Sequence, residues 1–212
     1  EIDLETGDDR HQGRFVAEDT EINPDDNDLL RRALQVGVLC NNASLDNDSD
    51  DDEDQSLGDP LEVALLAAGA AAELNRKELI DRKPEEREVA FDSETSMMAT
   101  YHRDDDGILV AVKGAPEAVL DVCDRFAVDG GSRKLSGDER DNWKERNDKL
   151  ADQGLRILAL AEKRVSDAGA EPYKNLVFLG LVGMIDPPGE GVAEAVEECR
   201  KAGVRVIMMT GD

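Results

Sequence analysis

A single lysine lies where an apolar segment gives way to a glycine and then to a helix start. Ile108–Leu120 runs through Lys113 and Gly114, and Pro116 with Glu117 then opens a helix. An ammonium group beside the free N–H groups of a helix start favours an anion such as a phosphate. Junctions of this kind often bind nothing, so the segment predicts phosphate binding only if other residues join it.

The 212-residue chain is strongly acidic, because 50 Asp and Glu residues outnumber 25 Lys and Arg residues and give a net charge of -25. Such a chain repels nucleic acid, which we exclude as a partner. Two explanations of the acidic surface stay open: a specific interaction face, or an adaptation to concentrated salt. The charge extends from Asp3 to Glu198, which favours salt adaptation and a halophilic source.

The spacing of apolar residues predicts the elements that position the lysine. The predicted helices are Asp28–Cys40, Pro60–Asn75, Pro116–Cys123, Ser136–Gln153 and Glu190–Ala202. The predicted strands are Gly13–Ala17, Arg87–Phe91, Met97–Arg103, Ile108–Lys113, Leu155–Lys163, Leu176–Ile185 and Val204–Met209. We therefore expect an α/β (α+β) fold, with a largely antiparallel sheet flanked by helices.

Changes in composition predict the domain organisation. Residues 46–56 are dominated by aspartate and predict a solvated acidic loop. At Asp186 a double proline interrupts the chain, and a helix and an apolar strand follow. We expect one domain over residues 1–185, and a hinge with the start of a second, Rossmann-like domain over residues 186–212.

Several blocks, taken in order, resemble the nucleotide-binding region of P-type cation-transporting ATPases, in particular the calcium-pump and sodium/potassium-pump branch. The blocks are LCNNASL (Leu39–Leu45), GDPLEVALL (Gly58–Leu66), FDSETSMMATYH (Phe91–His102), VKGAPEAVL (Val112–Leu120), GLRILALA (Gly154–Ala161), GLVGMIDPP (Gly180–Pro188) and AGVRVIMMTGD (Ala202–Asp212). The resemblance implies the fold of that nucleotide-binding domain, followed by a helix and strand of the phosphorylation domain, which is of the haloacid-dehalogenase type.

The resemblance implies roles for individual residues. Phe91 matches the ring that stacks on adenine, and a phenylalanine exposed on a strand can offer such a flat apolar face. Lys113 matches the lysine deep in the pocket, and Gly114 the glycine that lets the ligand approach. Glu62 matches a carboxylate on the adenine side, and Arg156 an arginine that reaches the phosphates. Asn41 and Cys40 fit a block of the same domain, and we interpret both as structural.

The chain also departs from the family's pattern. Ser96 stands where a second lysine is common, and Leu61 where threonine is usual. The pocket is therefore less positive than the family norm, and we expect millimolar or high-micromolar affinity for ATP.

The resemblance implies an activity for the parent protein: phosphoryl transfer from ATP, with Mg²⁺, to an aspartate outside this sequence, coupled to cation transport. Thr210, Gly211 and Asp212 match a block of the phosphorylation domain that meets the nucleotide. The implied partners are ATP and the phosphorylation, actuator and transmembrane domains of the same parent, at the cytoplasmic face of the cell membrane. Two alternatives stay open: a fragment of a haloacid-dehalogenase-type phosphatase, or a non-catalytic acidic interaction domain.

Overall fold

The computed structural model describes residues 1–6, 13–45, 58–185 and 191–207. Its strands are β1 (Asp3–Thr6), β2 (Gly13–Ala17), β3 (Thr20–Ile22), β4 (Glu85–Asp92), β5 (Met97–Asp104), β6 (Gly107–Gly114), β7 (Cys123–Val128), β8 (Gly131–Lys134), β9 (Arg156–Val165) and β10 (Leu176–Met184). Its helices are α1 (Asp28–Leu39), α2 (Pro60–Ala71), α3 (Arg76–Arg82), α4 (Pro116–Val122), α5 (Gly137–Ala151) and α6 (Val192–Lys201), with a short 3-10 helix at Pro24–Asp26.

A seven-stranded sheet with the order β4-β5-β6-β9-β10-β7-β8 forms the centre of the fold. All its neighbouring strands are antiparallel except β10 and β7, which are parallel. The predicted mixed fold, with a largely antiparallel sheet between helices, is confirmed. Strands β1 to β3 form a second, three-stranded antiparallel sheet, of which the sequence predicted only β2.

The two faces of the large sheet pack against different helices. The first face, called here the polar face, packs under α1, α2 and α3, through residues such as Leu39, Leu66 and Leu79. The second, called here the apolar face, packs under α4 and α5, with Leu120 and the partly buried Trp143 among its contacts. Alternate residues of each strand contribute to the two faces, so a residue's position in the ladder fixes the face on which it lies.

The helix predicted over Pro60–Asn75 is wrong beyond Ala71. Glu73 adopts the left-handed region at φ 56°, and the N–H of Leu74 turns back to the carbonyl of Gly69. The side chain of Asn75 then accepts a hydrogen bond from the N–H of Glu78 and caps a separate helix, α3, which the sequence analysis did not predict.

Two further differences concern strands. The hairpin of β7 and β8 was not predicted, because its strands are short and contain several polar residues. The strand predicted over Val204–Met209 is wrong for Val204–Ile207, since these residues have no strand pairing, and Met208 and Met209 lie outside the described residues. The acidic loop at 46–56 also lies outside them. The division at residues 185 and 186 stays a prediction.

Within the described ranges, no helix combines the length and the apolar character that a bilayer crossing requires.

Candidate functional site

Strand β6 carries Lys113 into the interior of the domain. The residue is only 6% exposed, and in the ladder it lies between Met98 of β5 and Leu160 of β9, both buried on the polar face. An ammonium group in such surroundings requires an opposite charge, because an unpaired buried cation is costly. The predicted lysine is therefore a buried cation at the end of a central strand.

Glu62 supplies that opposite charge from the first turn of α2. Its carboxylate forms an ion pair with the ammonium group of Lys113. Asp59 caps the helix by accepting a hydrogen bond from the N–H of Leu61 at 2.9 Å, so the turn that carries Glu62 is well defined. Two of the predicted site residues, Glu62 and Lys113, are therefore in direct contact through their charged side chains.

A close contact between two helices places that turn over the sheet. A Cβ atom on Gly69 of α2 would lie 2.2 Å from a methyl carbon of Val38 in α1, so only glycine permits this approach. Helix α1 itself packs on β6 and β9. The position of Glu62 therefore depends on the packing of α2 on α1, and of α1 on the sheet.

Phe91 lies near the end of the edge strand β4. Two residues of β4, Ala90 and Phe91, lie opposite the single residue Met98 of β5. Such a β-bulge shifts the alternation of side chains by one position, and so moves Phe91 to the face of Met98 and Lys113. Its side chain is 62% exposed. The ring is thus open to solvent on the polar face, two strands and about 10 Å from β6.

Gly114 has a structural explanation independent of any ligand. A Cβ atom at this position would lie 2.4 Å from the carbonyl oxygen of Ser96 and 2.8 Å from the side chain of Met97. The N–H of Ala115 donates to the same carbonyl at 3.0 Å. The close approach of the β4–β5 turn thus accounts for this glycine, and a role in admitting a ligand stays a prediction.

Arg156 begins β9 and is exposed. It lies four residues along this strand from Leu160, the ladder neighbour of Lys113, which puts it on the same face at a distance of roughly 13 Å. In the part of the chain that the structure describes, no ion pair occupies its guanidinium group. Thr210, Gly211 and Asp212, the remaining predicted site residues, lie outside the described residues.

Four predicted residues therefore lie towards one end of one face of the sheet, and two of them, Glu62 and Lys113, are in contact; the four are Glu62, Phe91, Lys113 and Arg156. Strands β4 and β6 are both antiparallel to β5, so they run in the same direction and end at the same edge of the sheet. Strand β9 is antiparallel to β6 and therefore begins at that edge. The arrangement combines an exposed aromatic ring, an exposed guanidinium group and a buried ion pair. It is suited to a ligand with a flat ring at one side and negative charge at the other.

The loop that follows α1 contacts Glu62, although no site role was predicted for it. The backbone N–H of Asn42 donates to the carboxylate of Glu62 at 3.2 Å, and the buried Asn41 donates to the carbonyl oxygen of Glu62 at 2.9 Å. The sequence feature that could have indicated these contacts is the pair of consecutive asparagines, Asn41 and Asn42, directly after α1. Cys40 is no nucleophile in this setting, because burial raises the pKa of its thiol to about 12.

No cluster of three or more potential metal ligands occurs among residues 1–6, 13–45, 58–185 and 191–207. The structure is an α/β domain in which a buried ion pair and an exposed aromatic ring lie on one face of the central sheet.

Comparison with known proteins identifies the family. Residues 29–191 match the model of the family described as P-type ATPase, cytoplasmic domain N. The chain belongs to this family, which confirms the resemblance at that level.

Several curated proteins are similar to the chain over most of its length. It is 35% identical over 189 residues to Calcium-transporting ATPase 1 of Bacillus cereus, covering 88% of this chain and 21% of that protein. It is 38% identical over 194 residues to Cation-transporting ATPase pma1 of Synechocystis, covering 87% and 20%. It is 32% identical over 207 residues to Calcium-transporting ATPase of Bacillus subtilis, covering 95% and 23%. The chain thus spans about a fifth of the length of these relatives.

Proposed function

We propose that this chain is the ATP-binding domain of an ATP-driven cation pump of the calcium-pump and sodium/potassium-pump branch, at the cytoplasmic face of the cell membrane. Membership of the P-type ATPase N-domain family supports the proposal, and so do relatives whose names describe calcium and cation transport. The domain holds ATP so that its terminal phosphate passes to an aspartate elsewhere in the parent protein.

One observation carries the proposal: the exposed Phe91 lies on the same face and at the same end of the sheet as the buried pair of Lys113 and Glu62. The ring offers a stacking surface for adenine. The carboxylate of Glu62 has lone pairs to accept a hydrogen bond from the exocyclic amine. The guanidinium group of Arg156 attracts the phosphates, while the ammonium group of Lys113 lies beside Glu62 on the adenine side of the site.

The chain's contribution to phosphoryl transfer is binding and orientation. Phe91 fixes the base, and Arg156 attracts the charged end of the nucleotide away from the buried core. Mg²⁺ bound with ATP neutralises part of the phosphate charge. Membership of the N-domain family supports the assignment of the reacting aspartate to another part of the parent protein.

Titration of the 212-residue chain with ATP, followed by NMR, tests the proposal. We expect a Kd in the high-micromolar to millimolar range, with shifts concentrated around Phe91 and Lys113. Phe91→Ala should weaken binding about tenfold without unfolding the domain, since the ring is exposed and a stacked base is worth on the order of 1–3 kcal/mol. Phe126→Ala, on the distant strand β7, is the matched control and should bind normally. Unchanged binding by Phe91→Ala would show that the pocket is misassigned.

We also infer that residues 186–212 begin the phosphorylation domain, with Thr210, Gly211 and Asp212 in the block that meets the nucleotide. The amphipathic helix α6 supports this inference. None of its residues is buried, and Val192 and Val196 are exposed at 47% and 36%. An apolar helix side left open in this way would be covered by the rest of that domain. Addition of the flanking parental sequence should protect α6 from amide hydrogen exchange; unaltered exchange would argue against the boundary.

We further propose that the acidic surface is an adaptation to concentrated salt. At a net charge of -25, self-repulsion opposes folding in dilute buffer, and salt screens it. The thermal midpoint should therefore rise steeply between dilute and molar KCl. A flat response would favour a specific acidic interaction face instead.

A further inference from the structure

Asn41 uses every polar atom of its side chain although it is completely buried. Its Nδ2 donates to the carbonyl oxygen of Gly37 at 3.2 Å and to that of Glu62 at 2.9 Å. Its Oδ1 accepts from the N–H of Ala43 at 2.8 Å. The residue is 0% exposed. A single side chain thus joins the last turn of α1, the loop that follows it and the first turn of α2.

The same loop also contacts the carboxylate at the site. The N–H of Asn42 donates to Oε2 of Glu62 at 3.2 Å, while Oε1 of Glu62 pairs with Lys113. Glu62 is therefore held at two points by consecutive residues: at its carbonyl oxygen by Asn41 and at its carboxylate by Asn42. These contacts leave Oε1 of Glu62 in position to pair with the ammonium group of Lys113.

The loop is anchored in turn by neighbouring elements. Nη2 of Arg76, in the first turn of α3, donates to the carbonyl oxygen of Asn41 at 2.5 Å. Nδ2 of Asn42 donates to Oε1 of Glu88 at 3.1 Å, and Glu88 lies in β4, three residues before Phe91. The loop therefore connects the strand that carries the exposed ring with the helix turn that carries the carboxylate.

We propose that Asn41 is a positioning residue for the nucleotide site, which acts by holding Glu62 against Lys113. The inference rests on the proposed function and deepens it. Asn41 does not reach the ligand itself, since it is fully buried. Its action passes through the carbonyl oxygen of Glu62, whose displacement would move the carboxylate and release the ammonium group.

The first experiment is a double-mutant cycle on ATP affinity. Asn41→Asp keeps the shape and the acceptor for Ala43 but removes the donor to Gly37 and Glu62. We expect about tenfold weaker binding, comparable to the loss of one hydrogen bond that orients a charged group. In a Glu62→Gln background, the same change should cost less than about twofold. Equal losses in both backgrounds would overturn the proposal, because Asn41 would then act independently of Glu62.

Asn147→Asp is the matched control for the loss of a buried asparagine. Asn147 is 8% exposed and donates to Glu117 at 3.3 Å, in the contact between α5 and α4 on the apolar face. This variant should lower the thermal midpoint and leave ATP affinity unchanged. A comparable loss of affinity in Asn147→Asp would mean that destabilisation alone explains the effect of Asn41→Asp.

A second measurement needs no substitution at Asn41, and so remains decisive if that variant does not fold. In the 212-residue chain with Asn41 retained, Glu62→Gln should shift the NMR signals of the Asn41 side-chain amide and of the Asn42 backbone amide. Saturation with ATP should move the same signals. Signals that respond to neither change would overturn the proposal.

Measurements on the ligand-free protein distinguish a failure of the proposed ATP binding from a failure of the positioning role of Asn41. If the unsubstituted 212-residue chain binds no ATP, the proposed function fails. The contact between Asn41 and Glu62 can still be tested without ligand. Asn41→Asp should then shift the Lys113 side-chain signals in the free protein, as Glu62→Gln does. Unchanged Lys113 signals would overturn the positioning role even if ATP binds.

Discussion

The polar and apolar faces of the seven-stranded sheet differ in what they bury. The polar face encloses Thr100, His102 and Lys113, each less than 9% exposed and each partnered. The apolar face encloses mainly apolar side chains, such as Val110 and Phe178, and the ring of Trp143 packs edge-on against Phe178 at 5.0 Å. One sheet thus supports two cores of different chemistry.

Under the proposed function, this difference indicates how stability and ATP binding are divided between the two faces. Burial of polar groups contributes little net stability even when they are partnered, whereas burial of large apolar groups contributes much. The polar face therefore carries groups that stability alone would not require. The apolar face holds the same strands in register from the other side.

The largest expected effect on stability is on the apolar face. Phe178→Ala removes a ring that is 1% exposed, and should lower the free energy of unfolding by about 3–5 kcal/mol. If the variant is folded in molar KCl, its ATP affinity should stay within twofold of that of the unsubstituted 212-residue chain. Chemical denaturation and NMR titration measure the two quantities. A folded variant that had lost ATP affinity would show that the faces are not independent.

The next effect concerns the ion pair on the polar face. Lys113→Met alone leaves Glu62, whose side chain is 16% exposed, without its partner, and should cost about 3 kcal/mol of stability. The double variant Lys113→Met with Glu62→Leu should be within about 1 kcal/mol of the parent, because no buried charge is left unpaired. It should nevertheless bind ATP at least about 30-fold more weakly.

Lys83→Met provides the matched control for that ion pair. Lys83 pairs with Asp104 at 2.5 Å, and both side chains are largely buried. This variant should lose stability but retain ATP affinity. If the double variant of Lys113 and Glu62 bound ATP normally, the pair would have only a structural role, and the contrast between the two faces would lose its functional meaning.

His102 makes the polar face sensitive to pH. Burial lowers the pKa of His102 to about 4, and the nearby cations Arg76 and Lys83 add to the effect. Below about pH 6.5 the unfolded chain takes up a proton that the native chain does not, so stability falls as the pH decreases towards 4. The loss between pH 6.5 and 5 should be about 1.5 kcal/mol.

His102→Gln isolates this contribution, because its stability should vary less steeply over the same pH range. Asp104 does not interfere there. Burial opposes its ionisation, but hydrogen bonds from Lys83 and Arg164 lower the pKa of Asp104 to about 2, so the carboxylate stays charged. Parallel curves for the parent and the variant, measured by denaturation at each pH, would show that His102 is not kept neutral by the fold.

Local patterns in the sequence were sufficient to predict the central strands, whereas the site roles of Glu62, Phe91, Lys113 and Arg156 were implied by the family resemblance and stay predictions. Lys113 follows a continuous apolar run, and such a run predicts a buried strand without further information. The face on which Phe91 lies could not be predicted, because it depends on a bulge between β4 and β5. Period-two alternation from Val89 would have put the ring on the apolar face.

Contacts between segments that are distant in the sequence explain the structural roles of Gly114 and Asn41, which the sequence did not reveal. The role of Gly114 in admitting a ligand stays a prediction, and the carbonyl oxygen of Ser96 independently accounts for the absence of a side chain there. The role of Asn41 depends on Glu62, which lies 21 residues along the chain and reaches it only through the packing of α2 on α1. A single sequence contains no direct signal for either contact.

The smallest expected effect on stability is that of Arg156, and it sharpens the contrast between the faces. This exposed side chain should contribute little to folding, so Arg156→Gln should change the free energy of unfolding by less than about 0.5 kcal/mol. Its proposed contact is with phosphate, so binding of ATP should weaken about threefold to tenfold while binding of adenosine stays the same. Arg146→Gln, an exposed arginine of α5 on the apolar face, should alter neither affinity. An equal loss for ATP and adenosine would assign Arg156 to the base rather than to the phosphates, and would reverse the proposed orientation of the nucleotide along the sheet.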